Sequence, residues 1–193
     1  MFTGIISHLG KIITKGDTSL EIEAALNLCR KLQKGTSIAL NGICLTVITE
    51  PVENIFSVEI MPETFKRTTL GQLSVGKIVN LELPATPDSL LSGHIVQGHI
   101  DTTGKITNIK EEGNSHLITV AIPEKWNKYI IEKGSIAING ISLTIIDANL
   151  TYFTVGIIPF TWENTMIHLV KIDDLVNIEF DVIAKYVNRS LTN

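Results

Sequence analysis

An all-β protein of two small tandem barrels is what this sequence predicts, and an internal repeat, a pair of Asn-Gly turns and strands of alternating hydrophobicity carry that expectation. The repeat comes first. Residues 34–48, KGTSIALNGICLTVI, return at 133–146 as KGSIAINGISLTII, differing mainly by one added residue, Thr36, and by Cys44 against Ser142. The match runs outward on both sides: MFTGIISHLGKI at the start aligns with IVQGHIDTTGKI at 95–106, setting Gly4 on Gly98 and Gly10 on Gly104. Pro62 and Thr64 align with Pro159 and Thr161, and VGKIVNLEL at 75–83 aligns with IDDLVNIEF at 172–180.

Asn41-Gly42 and Asn139-Gly140 stand between apolar, β-branched runs and predict tight hairpins, because both turn positions need positive φ. Phe56, Val58 and Ile60 alternate with polar neighbours, as do Val79, Leu81 and Leu83, and Val176, Ile178 and Phe180. Each set therefore buries one face of a strand. Residues 25–34 and 123–133 are expected to be short helices. The second opens at Pro123 and places Trp126 and Ile130 on one side, and Gly35 and Gly134 supply the stops. Regular strand spacing with one short helix per half favours closed barrels, which leave no exposed edge.

The segment Pro84–Ser89 is the natural linker, so the expected domains are 1–90 and 91–181. A C-terminal helix is expected over 182–193, where Val182, Ile183, Tyr186, Val187 and Ser190 form a stripe with no counterpart in the first half. Packing on its own barrel and association between subunits both fit that stripe.

With 44% hydrophobic and 19% charged residues the chain reads as a folded, soluble protein. A net charge of −4 offers no basic surface for nucleic acid or for anionic membranes. No apolar run approaches the roughly 18 residues that a membrane span requires, and no export signal opens the chain. The two cysteines, Cys29 and Cys44, do not make a disulfide framework, which suits a reducing cytoplasm.

Cys44 and Ser142 occupy the same place after the turn, with Thr46 and Thr144 two residues further along the same strand face. Read alone, Cys44 is a small buried hydrophobe; read in position, it belongs to a row of small polar groups suited to a ligand. His94 and His99 are five apart, which sends them to opposite faces of an extended chain, and no cysteine or carboxylate cluster completes a metal site. Glu63 and Thr64 resemble a capped turn, and Lys133 a helix-terminal charge. There is no phosphate-cradling glycine loop, dinucleotide fingerprint or serine–histidine–acid motif of known form.

Taken together, MFTGII, SGHIVQGHID, PETFKRTTLG and the pair NGICLTV and NGISLTI resemble the α-type riboflavin synthase family, over nearly the whole chain. That resemblance implies two six-stranded Greek-key barrels and a homotrimer assembled through the C-terminal helices. It also implies an active site between the N-barrel of one subunit and the C-barrel of its neighbour. The implied reaction needs no cofactor: two molecules of 6,7-dimethyl-8-ribityllumazine dismutate, one giving a four-carbon unit to the other, to form riboflavin and 5-amino-6-ribitylaminouracil. An association with lumazine synthase belongs to the same expectation.

Carried over by motif, His99 with Thr144 assists proton removal in the C-barrel, while Cys44 and Ser37 assist at the acceptor in the N-barrel. Ser142 and Lys133 support the donor, Phe2 positions the lumazine ring, and His94 serves the junction. Backbone at Gly4, Ile5 and Ile6, at Leu45 and Thr46, at Gly98 and Ile100 and at Leu143 is expected on the pyrimidine edge. Glu63, Thr64 and Thr161 are expected near the ribityl chain. Glu59, Ile60, Met61 and Pro62, with Asn139, Gly156, Ile157, Ile158, Pro159 and Phe160 in the second copy, complete the binding set. The chain departs from the family pattern at Asn139, where relatives commonly carry aspartate, and at Phe160, which faces Glu63 in the alignment of the halves. A non-catalytic lumazine- or flavin-binding antenna protein and a single-barrel flavoreductase are the rival readings. The duplication disfavours the latter, and the joint presence of Cys44, His94, His99 and Ser142 favours the enzyme.

Overall fold

The computed structural model describes residues 1–191, so Thr192 and Asn193, the last two positions of the expected C-terminal helix, lie outside the described residues. In the first half β1 (His8–Lys15), β2 (Ser19–Ala24), β3 (Ser37–Leu40), β4 (Ile43–Val47), β5 (Ile55–Glu59) and β6 (Ile78–Glu82) close into a barrel in the order β1-β2-β5-β4-β3-β6. The second half forms β7 (Thr102–Glu112), β8 (Ser115–Ala121), β9 (Ser135–Ile138), β10 (Ile141–Ala148), β11 (Tyr152–Ile157) and β12 (Leu175–Phe180). They close as β7-β8-β11-β10-β9-β12, the same Greek-key order.

Alternation fills each interior. Ile12, Ile22, Ile38, Leu40, Phe56, Val58, Val79 and Leu81 meet in the first barrel, and Ile106, Ile118, Val120, Ile136, Phe153, Val155, Val176 and Phe180 in the second, all at most 1% exposed. At roughly 1.5–3 kcal/mol for each large apolar side chain removed from water, this burial drives closure and leaves no room for a ligand inside either barrel.

Both central hairpins turn as expected. Asn41 and Gly42 have φ of 45° and 77°, Asn139 and Gly140 of 46° and 80°. The asparagine Oδ1 atoms accept the backbone N–H of Asn80 and of Asn177, each at 2.8 Å. The two turn tips touch: a Cβ on Gly42 would sit 2.6 Å from the nitrogen of Gly140, and one on Gly140 would sit 2.7 Å from that of Gly42.

The helical expectations need correction. Within 25–34 only α1 (Leu26–Cys29) is helical, and within 123–133 there is a 3-10 turn over Glu124–Tyr129. Neither segment has a side-chain N-cap, and both fall short of the dozen or so residues that hold a helix by themselves. One turn is enough to bury Leu28 and Cys29 on the first barrel, or to lay Trp126 and Ile130 against the second. The stop also differs between copies. Gly35 takes the left-handed conformation at φ 89°, whereas Lys133, not Gly134, does so at φ 62°, because Thr36 has no counterpart and the turn moves one residue back.

Where the sequence reads a capped turn at Glu63, the chain forms α2 (Pro62–Arg67), and the second copy forms α3 (Pro159–Asn164). Each begins with proline, whose fixed φ suits a first helical turn, and each is followed by a 3-10 turn capped by Thr68 or Thr165. The chain continues into α4 (Val182–Leu191), where Asp181 Oδ1 accepts the N–H of Ile183 at 2.9 Å.

Candidate active site

With Ile43, Leu45 and Val47 pointing inward on β4, Cys44 and Thr46 must point out. The same logic turns Ser142 and Thr144 outward on β10. The row of small polar groups therefore lies on the outer wall of each barrel, and a strap belonging to the other half covers it. Residues 97–100, which precede the second barrel, cross to the first, where the Gly98 carbonyl accepts the N–H of Cys44 at 2.9 Å. Residues 3–6 cross the opposite way, and the Gly4 carbonyl accepts the N–H of Ser142 at 2.8 Å. Only glycine permits this approach: a Cβ on Gly98 would fall 2.5 Å from Cys44 Cβ, and one on Gly4 would fall 2.6 Å from Ser142 Cβ.

The strap over Cys44 roofs a cavity of about 180 Å³ lined by Ile43, Cys44, Glu63, Thr64, Arg67, Thr68, Gly98, His99 and Ile100. Six of these were singled out from sequence. Ile43, Arg67 and Thr68 were not, although Arg67 stands one turn after Glu63 and pairs with it across α2. Both partners are more than half exposed, so the pair adds little stability and its guanidinium stays within reach of a ligand. His99 is exposed at the rim of this cavity and Thr144 is not among its walls. Within one chain His99 is therefore grouped with Cys44.

On the other side His94 is buried, and its Nδ1 lies 2.7 Å from Ser142 Oγ. Burial lowers its pKa, with Asp181 pulling the other way, so the ring is neutral near pH 7 and its Nε2 has no protein partner. His94 and His99 thus go to different walls, His94 to Ser142 and His99 to the cavity at Cys44. Lys133 is exposed, with its N–H given to the Ile145 carbonyl at 2.8 Å. On α3, Pro159 and Thr161 are half-buried and Phe160 is exposed, as is the preceding Ile158. Where the first copy pairs Glu63 with Arg67, the second has Phe160 and Asn164, and Asn164 Nδ2 donates to the Phe160 carbonyl at 2.8 Å.

Other expected residues sit back from the cavities. Phe2 is fully buried between the barrels with Ala39, Val96 and Ala137, and Cys44 packs on that cluster. Asn139 is buried at the turn, its Oδ1 committed to Asn177. Leu45, Ile60, Leu143 and Ile157 belong to the barrel cores and have only backbone to offer. Ser37 is the cross-strand partner of Thr46, and Glu59 is exposed on the other side of Thr46. Gly156 lies opposite Leu117 on β8, half-buried, and Met61 and Pro62 are exposed at the start of α2. Ile5 is exposed, and Ile6 packs against the second core.

Two carboxylates escaped the sequence reading. Glu82 Oε1 accepts the N–H and the hydroxyl of Thr3, both at 2.7 Å, and its Oε2 accepts the N–H of Gly4 at 3.1 Å. Glu179 accepts the N–H groups of Gln97, Gly98 and His99 at 2.6, 2.9 and 3.1 Å. Burial raises both carboxyl pKa values, and the converging amides oppose that rise. The available signal was that VNLEL and VNIEF repeat both the asparagine and the glutamate.

The comparisons agree with this architecture. The lumazine binding domain family model matches twice, over residues 3–84 and 97–181. The riboflavin synthase of Actinobacillus pleuropneumoniae is 42% identical over 99% of this chain and 90% of its own length, and that of Mycobacterium bovis is 39% identical over 98% and 97%. Among solved structures, LumP complexed with 6,7-dimethyl-8-(1'-D-ribityl) lumazine superposes with a TM-score of 0.82 at 25% identity, over 93% of this chain and 99% of that one. Matched in both repeats and aligned almost end to end with curated relatives, the chain belongs to the riboflavin synthase family of tandem lumazine binding domains.

Proposed function

We propose that the chain makes riboflavin from two molecules of 6,7-dimethyl-8-ribityllumazine, one passing a four-carbon unit to the other and leaving as 5-amino-6-ribitylaminouracil. The observation that carries this reading is the pair of related strap-covered walls, one at Cys44 and one at Ser142: a transferase that consumes two copies of one substrate needs two cradles. Holding both molecules in register supplies much of the rate as proximity. The C7 methyl of the substrate is acidic because its carbanion spreads charge into the pteridine ring, so an imidazole at neutral pH is base enough.

In this reading His99 assists proton removal at the rim beside Cys44, facing Thr144 of a neighbouring subunit, while Cys44 and Ser37 serve the acceptor. Ser142, held by neutral His94, and Lys133 serve the donor. Glu63, Arg67 and Thr64 suit the ribityl hydroxyls in the first barrel, and Thr161 with the more apolar Phe160 suits them in the second.

The proposed lumazine-binding barrels span 1–90 and 91–181, and each site is completed between two subunits of a homotrimer joined through α4. The exposure of Ile183, Tyr186, Val187 and Leu191 supports that association. A cytoplasmic setting suits the two free cysteines, and an association with lumazine synthase would bring substrate close. Purified protein given 6,7-dimethyl-8-ribityllumazine and no additive is expected to form riboflavin, followed by its longer-wavelength absorbance and fluorescence. Tight binding without product would favour an antenna role instead.

A further inference from the structure

We infer that Glu82 and Glu179 are positioning residues that act across the barrel boundary, each carboxylate shaping the substrate pocket of the barrel to which it does not belong. Their effect on turnover rests on the riboflavin synthase reading; their geometric role does not.

Glu179 stands on β12 of the second barrel and is 1% exposed, yet the amides it holds, from Gln97 to His99, belong to the strap that roofs Cys44 in the first barrel. Glu82 stands on β6 of the first barrel, 5% exposed, and holds Thr3 and Gly4 in the strap that lies on Ser142 of the second. A buried carboxylate is costly and contributes nothing to packing that an apolar residue could not supply, so its use at the same point of both repeats calls for a task. Successive amides that converge on one carboxylate are satisfied in a narrow range of backbone conformations. With its N–H turned to Glu179, Gly98 directs its carbonyl to the N–H of Cys44, and His99 follows at the rim.

The strap over Cys44 has an added tie. Asp101 Oδ2 accepts from Lys185 Nζ of α4 at 2.6 Å and from the N–H of Phe180 at 2.9 Å. Ser7 takes the place of Asp101 in the first copy, where its Oγ meets the Leu81 carbonyl and the neighbouring His8 Nδ1 and makes no tie to α4. The cavity at Cys44 is therefore linked through its strap to the C-terminal helix, a tie that Ser7 does not reproduce over Ser142.

The test is the alkylation rate of single thiols by iodoacetamide, read by mass spectrometry, in wild type, Glu82→Gln and Glu179→Gln. Cys44 reports one pocket, a thiol placed by Ser142→Cys reports the other, and buried Cys29 reports global opening. Glu179→Gln is expected to speed alkylation at Cys44 roughly tenfold, the equivalent of one lost charge-assisted hydrogen bond, and to leave position 142 and Cys29 unchanged. Glu82→Gln is expected to do the reverse. Lys185→Met, which keeps the glutamate, is expected to speed only Cys44, by about threefold. Equal acceleration at all thiols, or none at any, would overturn the inference. In parallel, each glutamine variant is expected to lower kcat for lumazine turnover more than it raises KM. A crossed alkylation pattern in a wild type that makes no riboflavin would support the positioning role and refute the catalytic reading alone.

Discussion

Asn80 and Asn177 grip the junction of the barrels from opposite sides: Asn80 Nδ2 donates to the Asn139 carbonyl and Asn177 Nδ2 to the Asn41 carbonyl, each at 3.0 Å. Their Oδ1 atoms accept the N–H of Met166 at 2.7 Å and of Thr69 at 2.8 Å, so each amide both donates to and accepts from the opposite half. Both residues are fully buried. Replacing either by alanine leaves buried groups unpaired, at a cost of about 1–3 kcal/mol for each. Asn80→Ala and Asn177→Ala should each lower the urea midpoint by that order, and the double variant should lose less than the sum, because the two share one interface. Near-neutral single variants would show that the junction is held by its apolar contacts.

His99→Ala should lower kcat by about a hundredfold and leave the dissociation constant for 6,7-dimethyl-8-ribityllumazine within a few fold of wild type, since general-base assistance belongs to the transition state. Single-turnover rates and fluorescence titration separate the two. An equal loss in both would make His99 a binding group.

His94 gives a pH signature. Its folded pKa lies below the ordinary 6.5 because it is buried, so the unfolded chain binds more protons as pH falls through that region. Its contribution to stability is therefore present above about 6.5 and fades on acidification toward the lowered folded value. The difference in melting temperature between wild type and His94→Gln should be larger at pH 7.5 than at pH 5.5. Glu82 and Glu179 work in the opposite sense, since raised folded carboxyl pKa values favour the native state at lower pH. A difference between wild type and His94→Gln that grows on acidification would mean that the ring is charged in the native protein.

The apolar face of α4 should control assembly. Tyr186→Glu combined with Val187→Glu places two charges on an exposed stripe and should shift the protein to a species near the 21.2 kDa of one chain, as read by light scattering. An unchanged mass would move the subunit contact elsewhere.

Much of this is legible in the sequence alone. Asn-Gly turns fix their own geometry, and alternating strands such as 56–60 declare their buried face through local rules alone. Cys44 stands out by its place after the Asn-Gly turn, matched by Ser142 in the second copy, whereas the role of His99 follows from the family resemblance. The short helices were misjudged because their ends are set by barrel packing and not by caps of their own. Glu82 and Glu179 were passed over for a deeper reason: alternation sends them out of their barrel, which reads as solvent until the other half arrives to cover them. The place of Phe2 at the ligand is what the family resemblance implies, and its side chain is buried between the barrels with Ala39, Val96 and Ala137.

The contact of Gly42 with Gly140 bears on how a doubled gene can diverge. A side chain on either glycine meets the backbone of its twin, so neither copy can explore that position alone, however long they have been separate in sequence. Freedom to differ is left at the outer walls, where cysteine in one copy is matched by serine in the other, and glutamate and arginine by phenylalanine and asparagine. The two barrels are thereby tied along one close seam while their outer walls are left to differ, an arrangement suited to handling two molecules of one compound in unequal parts.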